Sequence, residues 1–203
     1  MRKKVYLFDF DGTITSADTL LRFIRYACGT WSFLLGFFIH SPWLILMKLR
    51  LYPNYLAKQR VFSWFFKGMK ICEFNDLCHR FAEDNGSLIR PKALNLLKRL
   101  FRDGTDILIV SASVDNWVLP FFEDYAADSL SYFSVVGTKV EVRNGRLTGR
   151  FLTYNCYGAE KVRRILSIYP NSDDYEFIAF GDSRGDREML AFANERYYKP
   201  FRN

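Results

Sequence analysis

With 203 residues, 49% of them hydrophobic and 25% charged, the chain can bury one sound core plus a small accessory unit, which excludes a disordered tail. Its formal net charge of +7 raises the question of location, because positive charge gathered in one segment points to a partner and dispersed charge does not. Cys28, Cys72, Cys78 and Cys156 show no paired spacing, and Cys72, Cys78 and His79 are too irregular for a zinc site, so the thiols read as reduced and the protein as cytoplasmic.

Arg2-Lys3-Lys4 resembles the start of a signal peptide, but the apolar run Val5-Tyr6-Leu7-Phe8 ends at two aspartates, and no export signal is expected. The run reads instead as a buried strand opening into Asp9-Phe10-Asp11-Gly12-Thr13. Side chains two apart on a strand point the same way, so Asp9 and Asp11 can address one substrate and one metal together. A helical insert follows over roughly residues 16 to 86. Pro91 then opens a helix with Leu94, Leu97 and Leu100 inward and Gly104 after it.

Two more apolar runs repeat the first pattern. Ile107-Leu108-Ile109-Val110 leads into Ser111-Ala112-Ser113, and Phe177-Ile178-Ala179-Phe180 leads into Gly181-Asp182-Ser183, with Asp186 beyond. Short unbroken apolar runs between helices read as parallel strands covered on both faces. Ligands of such sheets bind outside the carboxyl ends of the strands, so the three polar ends should meet. Between them, Asn144-Gly145 predicts a hairpin with a tight primed turn. A helix opens at Gly158-Ala159-Glu160-Lys161, with Val162, Ile165, Leu166 and Tyr169 as its apolar stripe; Lys161 lies off that stripe and alone reads as a solvated surface lysine. Glu195-Arg196-Tyr197-Tyr198-Lys199 is expected to form a last edge strand.

In this order, Asp9-x-Asp11, Ser111, Lys161 and Gly181-Asp182 with Asp186 resemble the four motifs of the haloacid dehalogenase superfamily of phosphohydrolases, in its phosphoserine-phosphatase-like branch. The resemblance covers the whole chain except the insert. It implies an α/β fold with a doubly wound, Rossmann-like parallel sheet, a catalytic core of residues 1–15 and 87–203, and a helical cap of residues 16–86. It also implies Mg²⁺-dependent phosphomonoester hydrolysis. A carboxylate is ionised at neutral pH, so Asp9 can attack phosphorus without an activating base and form a phospho-aspartate.

The resemblance places Mg²⁺ on the Asp9 carboxylate, the main-chain carbonyl of Asp11 and the Asp182 carboxylate, with Asp186 bracing metal waters or Lys161. Asp11 becomes general acid and then general base, and Ser111, Lys161 and backbone N–H groups near Phe10 and Ala112 hold the phosphoryl oxygens. Thr13 would fix the loop through its hydroxyl. Asp11 itself distinguishes phosphoryl chemistry, since dehalogenases of this fold lack the second aspartate. Ser111-Ala112-Ser113 stands where Ser-Gly-Gly is common, and Asp18 stands where phosphoserine phosphatase has a glutamate that reads the substrate ammonium, so phosphoserine itself is not implied. A catalytically dead binding module is the remote alternative, and it would be expected to have lost one of these positions.

The insert carries the charge. From Thr19 to Cys72 there is no Asp or Glu, while Arg22, Arg25, Lys48, Arg50, Lys58, Arg60, Lys67 and Lys70 are all basic; the other 21 basic residues face 22 acidic ones. The same segment holds Trp31, Trp43 and Trp64. Trp31 to Met47 is nearly apolar but is interrupted by Gly36, His40, Ser41 and Pro42, which falls short of a membrane span. Two readings stay open. Two short helices around Ser41-Pro42 lie in the interface of an anionic membrane at its inner face, or the helices form a tightly packed cap with solvated basic groups. The stretch is too apolar and its charges too dispersed for a nucleic-acid groove. The resemblance of this cap to those of bacterial phosphatidylglycerophosphatases implies an amphipathic or lipid-linked phosphomonoester, with a soluble metabolite such as phosphoserine as the alternative substrate.

Overall fold

The computed structural model describes residues 2–126 and 132–202. Five strands, β1 (Lys3–Phe8), β2 (Asp106–Val114), β3 (Phe133–Thr138), β6 (Tyr175–Gly181) and β7 (Glu195–Tyr198), form one parallel sheet in the order β3-β2-β1-β6-β7. Leu7 lies between Leu108 and Ala179 in the register, so the three apolar runs are the central strands. Their period-two alternation feeds two faces. Val5, Leu7, Leu108, Val110, Phe177 and Ala179 pack on one side, and Phe8, Ile107, Ile109, Ile178 and Phe180 on the other. The expected edge strand is β7, parallel to β6.

Helices α1 (Thr19–Lys48), α2 (Asn54–Phe66) and α3 (Ile71–Asp84) make up the insert, and α4 (Pro91–Arg102) leads back to β2. Short helices α5 (Asp115–Val118) and α6 (Glu123–Ala126) follow β2, α7 (Ala159–Ile168) precedes β6, and α8 (Arg187–Phe192) precedes β7. The hairpin β4 (Val140–Arg143) and β5 (Arg146–Phe151) turns at Asn144 and Gly145, both with positive φ (49° and 72°), the backbone that a type I′ turn requires.

The helical insert and the hairpin are in direct contact. The hairpin, which the expected boundary at residue 86 assigns to the core, docks on the insert: Gly68 N–H donates to Leu147 O (2.8 Å), Ile71 N–H to Gly145 O (2.9 Å), and Phe151 N–H to the side chain of Gln59 (2.8 Å). The cap also shares its core with the sheet. Phe23 stacks on Trp117 (5.0 Å between centroids) and Phe81 meets Phe121 edge-on (5.7 Å), so one aromatic cluster runs from Phe8 through Phe74.

The expected break at Ser41-Pro42 is absent. The helix kinks earlier, at Gly29 (φ 75°, ψ 165°), and then continues through Pro42 to Lys48. Proline removes the N–H that Phe38 O would accept. Ser41 Oγ supplies that donor instead, at 2.7 Å from Phe38 O. Gly36 sits where a Cβ would meet the Phe65 ring at 2.3 Å, so its missing side chain lets α1 close on α2.

Candidate active site

The three central strands end together, as the sequence pattern requires. Asp9 extends the β1–β6 ladder by donating its N–H to Phe180 O (2.9 Å) and points its carboxylate beyond the sheet. The loop then folds over at Gly12 (φ 81°), where a Cβ would fall 2.5 Å from Asp182 Oδ2. Only glycine lets the β1 loop lie this close to the β6 loop. Thr13 Oγ donates to Asp9 Oδ2 (3.1 Å), which makes it a holder of the Asp9 carboxylate as well as part of the loop.

Lys161 is 1% exposed and shares the buried face of α7 with Ile165, whereas Leu166 faces outward. The surface reading of this lysine is therefore corrected: its stem runs inward and its Nζ donates to Asp9 Oδ1 (2.6 Å), Asp186 Oδ1 (2.7 Å) and Val110 O (2.6 Å). Three donors meet three acceptors. Burial alone would lower the pKa of this lysine, but Asp9 and Asp186 more than offset that and hold it above its ordinary range.

Burial pushes Asp9 up to about 7 against the pull of Lys161. Burial would also raise Asp186, but Lys161 and the hydrogen bonds of Ser183 hold it below the usual carboxylate range. Its Oδ2 accepts from the backbone N–H groups of Asp182 (3.1 Å) and Ser183 (2.9 Å) and from Ser183 Oγ (2.9 Å). Asp186 thus braces Lys161 and the β6 loop at once. Asp182 is raised by burial and then by Asp186, and is opposed by Arg202, which pairs with its Oδ2.

Asp11 lies on the other side of Asp9, under the cap. Its Oδ1 accepts from Thr19 N–H (2.7 Å) and Thr19 Oγ (2.6 Å), and its Oδ2 from Ser113 Oγ (2.6 Å). Trp117 Nε1 donates to the same threonine hydroxyl (3.2 Å). Burial and the nearby Asp18 raise the Asp11 pKa, and the Ser113 and Thr19 hydrogen bonds hold it back. Asp18 caps α1 by accepting Leu21 N–H (3.3 Å) and also lines the cavity.

Ser111 and Ser113 sit at the end of β2 in different surroundings. Ser111 is fully buried and outside the cavity lining; its Oγ accepts Ser113 N–H (3.0 Å), which leaves its own proton to donate. Ala112 and Ser113 line the cavity. The register of β2 against β3 shifts between Val110 and Val114, which re-aims this end of the strand. Thr19, Ser113 and Arg202 were not singled out as site residues from the sequence. Ser113 carried a signal, two residues from Ser111 on one strand, but nothing local marks Arg202.

A cavity of about 660 Å³ opens above these groups. Its floor is Asp9, Asp11, Lys161, Asp182 and Asp186, and its far wall is apolar, from Leu20, Phe37, Leu44, Met47 and Val61 of the cap. One carboxylate oxygen each of Asp9, Asp182 and Asp186 lies within 4.8 Å of the others. An all-oxygen anionic donor set of this kind suits a hard divalent cation such as Mg²⁺.

A sequence profile of haloacid dehalogenase-like hydrolases matches residues 6–191. The chain is 34% identical over 198 residues to Protein CicA of Caulobacter vibrioides, covering 96% of this chain and 85% of that protein. In structure it is similar to a protein of unknown function from Bordetella pertussis Tohama I (TM-score 0.81, 16% identity, 97% of this chain and 89% of that one). It is also similar to a substrate-bound phosphoserine phosphatase (TM-score 0.62, 20% identity, 98% and 86%).

Proposed function

The chain belongs to the haloacid dehalogenase-like hydrolases and has the fold of their phosphoserine-phosphatase-like branch, and on that premise we propose that it is a Mg²⁺-dependent phosphatase that hydrolyses a phosphomonoester through phospho-Asp9. The observation that carries the reading is the pairing of two differently held carboxylates. Asp9 is locked among Lys161 and Thr13 at the strand end, while Asp11 is held by Thr19 and Ser113 toward the cap. Asp9, Asp182 and the main-chain carbonyl of Asp11 would hold Mg²⁺, which supplies the positive charge that lets an anionic nucleophile meet an anionic phosphoryl group.

Asp9 attacks phosphorus while Asp11, its pKa raised, gives its proton to the departing alcohol oxygen. Asp11 then takes a proton from the water that attacks phospho-Asp9, releasing phosphate and restoring both carboxyl groups. The Ser111 hydroxyl, the Lys161 ammonium and the N–H groups near Phe10 and Ala112 hold the equatorial oxygens, where charge gathers in the transition state. The test is phosphomonoester hydrolysis by purified protein with and without Mg²⁺, with Asp9→Asn as the control. Activity indifferent to both would overturn the reading.

The apolar wall of the cavity favours an amphipathic or phospholipid-type substrate over a small metabolite such as phosphoserine. The outer side of α1 supports the same choice. On the solvent side, Leu34 and Leu35 fall three and four residues after Trp31 (85% exposed), Phe38 (77%) falls four and three after them, and Ile45 lies seven residues further on. By length and composition α1 would suffice to cross a membrane. Its other side packs on α2 and lines the cavity, through Gly36 and Phe37 against Phe65, which favours lying in an anionic interface at the cytoplasmic face over spanning it. Asp18, at the cavity edge, is the residue that would read a substrate ammonium if the soluble alternative held.

A further inference from the structure

The two oxygens of the Asp11 carboxylate are held differently. At Oδ1 both partners are donors with nowhere else to turn. Thr19 N–H donates at 2.7 Å, and Thr19 Oγ donates at 2.6 Å. Trp117 Nε1, which can only donate, points at the same hydroxyl oxygen from 3.2 Å, so the Thr19 proton is left to face Asp11. Ser113 Oγ, the other oxygen near that hydroxyl, is farther away at 3.5 Å. Trp117 is itself fixed by stacking on Phe23, one turn beyond Thr19 on α1.

At Oδ2 a single protein donor is in place, the Ser113 hydroxyl at 2.6 Å. The backbone that carries it is anchored, because Ser113 N–H donates to Ser111 Oγ (3.0 Å). A carboxylate offers about four acceptor sites, two on each oxygen. Thr19 fills both sites on Oδ1, and Ser113 fills one on Oδ2. Thr19 is fully buried and outside the cavity lining, whereas Asp11 and Ser113 line it. The remaining site is therefore on the oxygen nearer the cavity. The hydroxyl that defines it is a departure in this chain, since Ser113 ends a segment where Ser-Gly-Gly is common.

We propose that Ser113 is a positioning residue for the acid–base step: it fills one site on Asp11 Oδ2, so that the transferable proton is carried on the other, toward the leaving oxygen. That proton passes from Oδ2 to the alcohol oxygen as the P–O bond breaks, and the same site then takes a proton from the attacking water. Thr19 and Ser113 keep their hydrogen bonds throughout, so the carboxylate does not have to turn between the two steps. Without the Ser113 hydroxyl, Oδ2 has two open sites and the proton can sit turned away from the leaving group. The inference rests on the phosphatase reading above and adds to it which oxygen of Asp11 acts and what selects it.

Two aryl-containing phosphates of similar size test this, benzyl phosphate, whose alcohol needs a proton to leave, and p-nitrophenyl phosphate, whose phenol hardly does. The readout is kcat/KM, which covers binding through departure of the leaving group. Ser113→Ala should lower it about tenfold or more on benzyl phosphate and less than about threefold on p-nitrophenyl phosphate. Ser113→Thr, which keeps the hydroxyl, should retain most of the benzyl phosphate activity. If Ser113 acts through Asp11, the two changes should not add: in an Asp11→Asn background, Ser113→Ala should cost less than about twofold further on benzyl phosphate. Equal losses on the two phosphates, no loss on either, or a full further loss in the Asp11→Asn background overturns the positioning role and leaves the phosphatase reading standing. No hydrolysis of either phosphate by wild type, with Mg²⁺ present, would sink that reading and the role of Ser113 with it.

Discussion

The two ends of the cavity are built on opposite terms. At the core end the charged side chains are buried and held by named partners: Asp9 by Lys161 and Thr13, Asp11 by Thr19 and Ser113, Asp182 by Arg202, and Asp186 by Lys161 and Ser183. At the cap end the wall is apolar, with one lysine that has no carboxylate partner among the described residues. Buried, fully hydrogen-bonded charge fixes the geometry of reacting atoms. Apolar surface with a few polar groups selects by fit instead. The two ends should therefore separate under mutation, rate at the core end and selectivity at the cap end.

The largest effect falls on Asp9, the proposed nucleophile. Asp9→Asn should lower kcat on the order of 10⁴-fold or more while leaving far-UV circular dichroism unchanged, because a neutral amide neither attacks phosphorus nor holds Mg²⁺ well. Residual activity above a few percent would move the nucleophile elsewhere. Asp11→Asn should cost about 10²–10⁴-fold on alkyl phosphates and much less on p-nitrophenyl phosphate, whose leaving group needs little protonation. Equal losses on both would remove Asp11 from the acid role.

Metal affinity should respond in two directions within the same cluster. With all groups ionised, the carboxylates of Asp9, Asp182 and Asp186 outnumber the cations of Lys161 and Arg202 by one. Removing Arg202 makes the site more negative and frees Asp182; removing Asp182 takes away a proposed ligand. Asp182→Ala should raise the Mg²⁺ concentration for half-saturation by about tenfold or more, and Arg202→Gln should lower it several-fold. Isothermal titration with Mg²⁺ reads both without substrate. A weaker affinity in Arg202→Gln would show that the arginine orients Asp182 more than it competes with the metal.

Lys161 ties the comparison to stability. Lys161→Ala strands buried Asp9 and Asp186, and breaking a buried ion pair from one side costs about 3–5 kcal/mol. The denaturation midpoint of the metal-free protein should fall accordingly, and an unchanged midpoint would mean that the carboxylates relax into other partners.

What the sequence disclosed divides along the same line. The strand ends were legible because three unbroken apolar runs each stop at polar residues, and the hairpin because Asn144-Gly145 accepts the positive φ of its turn. Lys161 was legible only by its place among the motifs; its local pattern pointed outward, because no helical stripe predicts an ammonium that buries itself among carboxylates and a carbonyl. The continuation of α1 past Ser41 was hidden by Pro42, since the repair depends on the rotamer of Ser41. Arg202 was out of reach for a different reason. It is brought over Asp182 by tertiary packing, with Phe201 stacked on Phe180 at 5.6 Å, and no local spacing encodes that contact.

The smallest expected effect on the folded protein, and the sharpest test of the cap, compares the two faces of α1. Phe23 is fully buried between Phe66, Phe74, Phe81 and Trp117, so Phe23→Ala should cost about 3–5 kcal/mol. Trp31 and Phe38 are on the solvent side, so the double change of Trp31→Ser with Phe38→Ser should move stability by no more than about 0.5 kcal/mol per site. If these side chains meet a bilayer, their replacement should instead abolish sedimentation with anionic vesicles at low salt. Each basic residue near an anionic surface adds about 1 kcal/mol, and screening removes that share while leaving apolar insertion. Binding that persists at high salt in wild type but not in the double variant assigns the contact to the apolar stripe. Wild-type protein that stays in the supernatant at low salt would remove the membrane from the account and leave α1 as a cap helix with an apolar outer face.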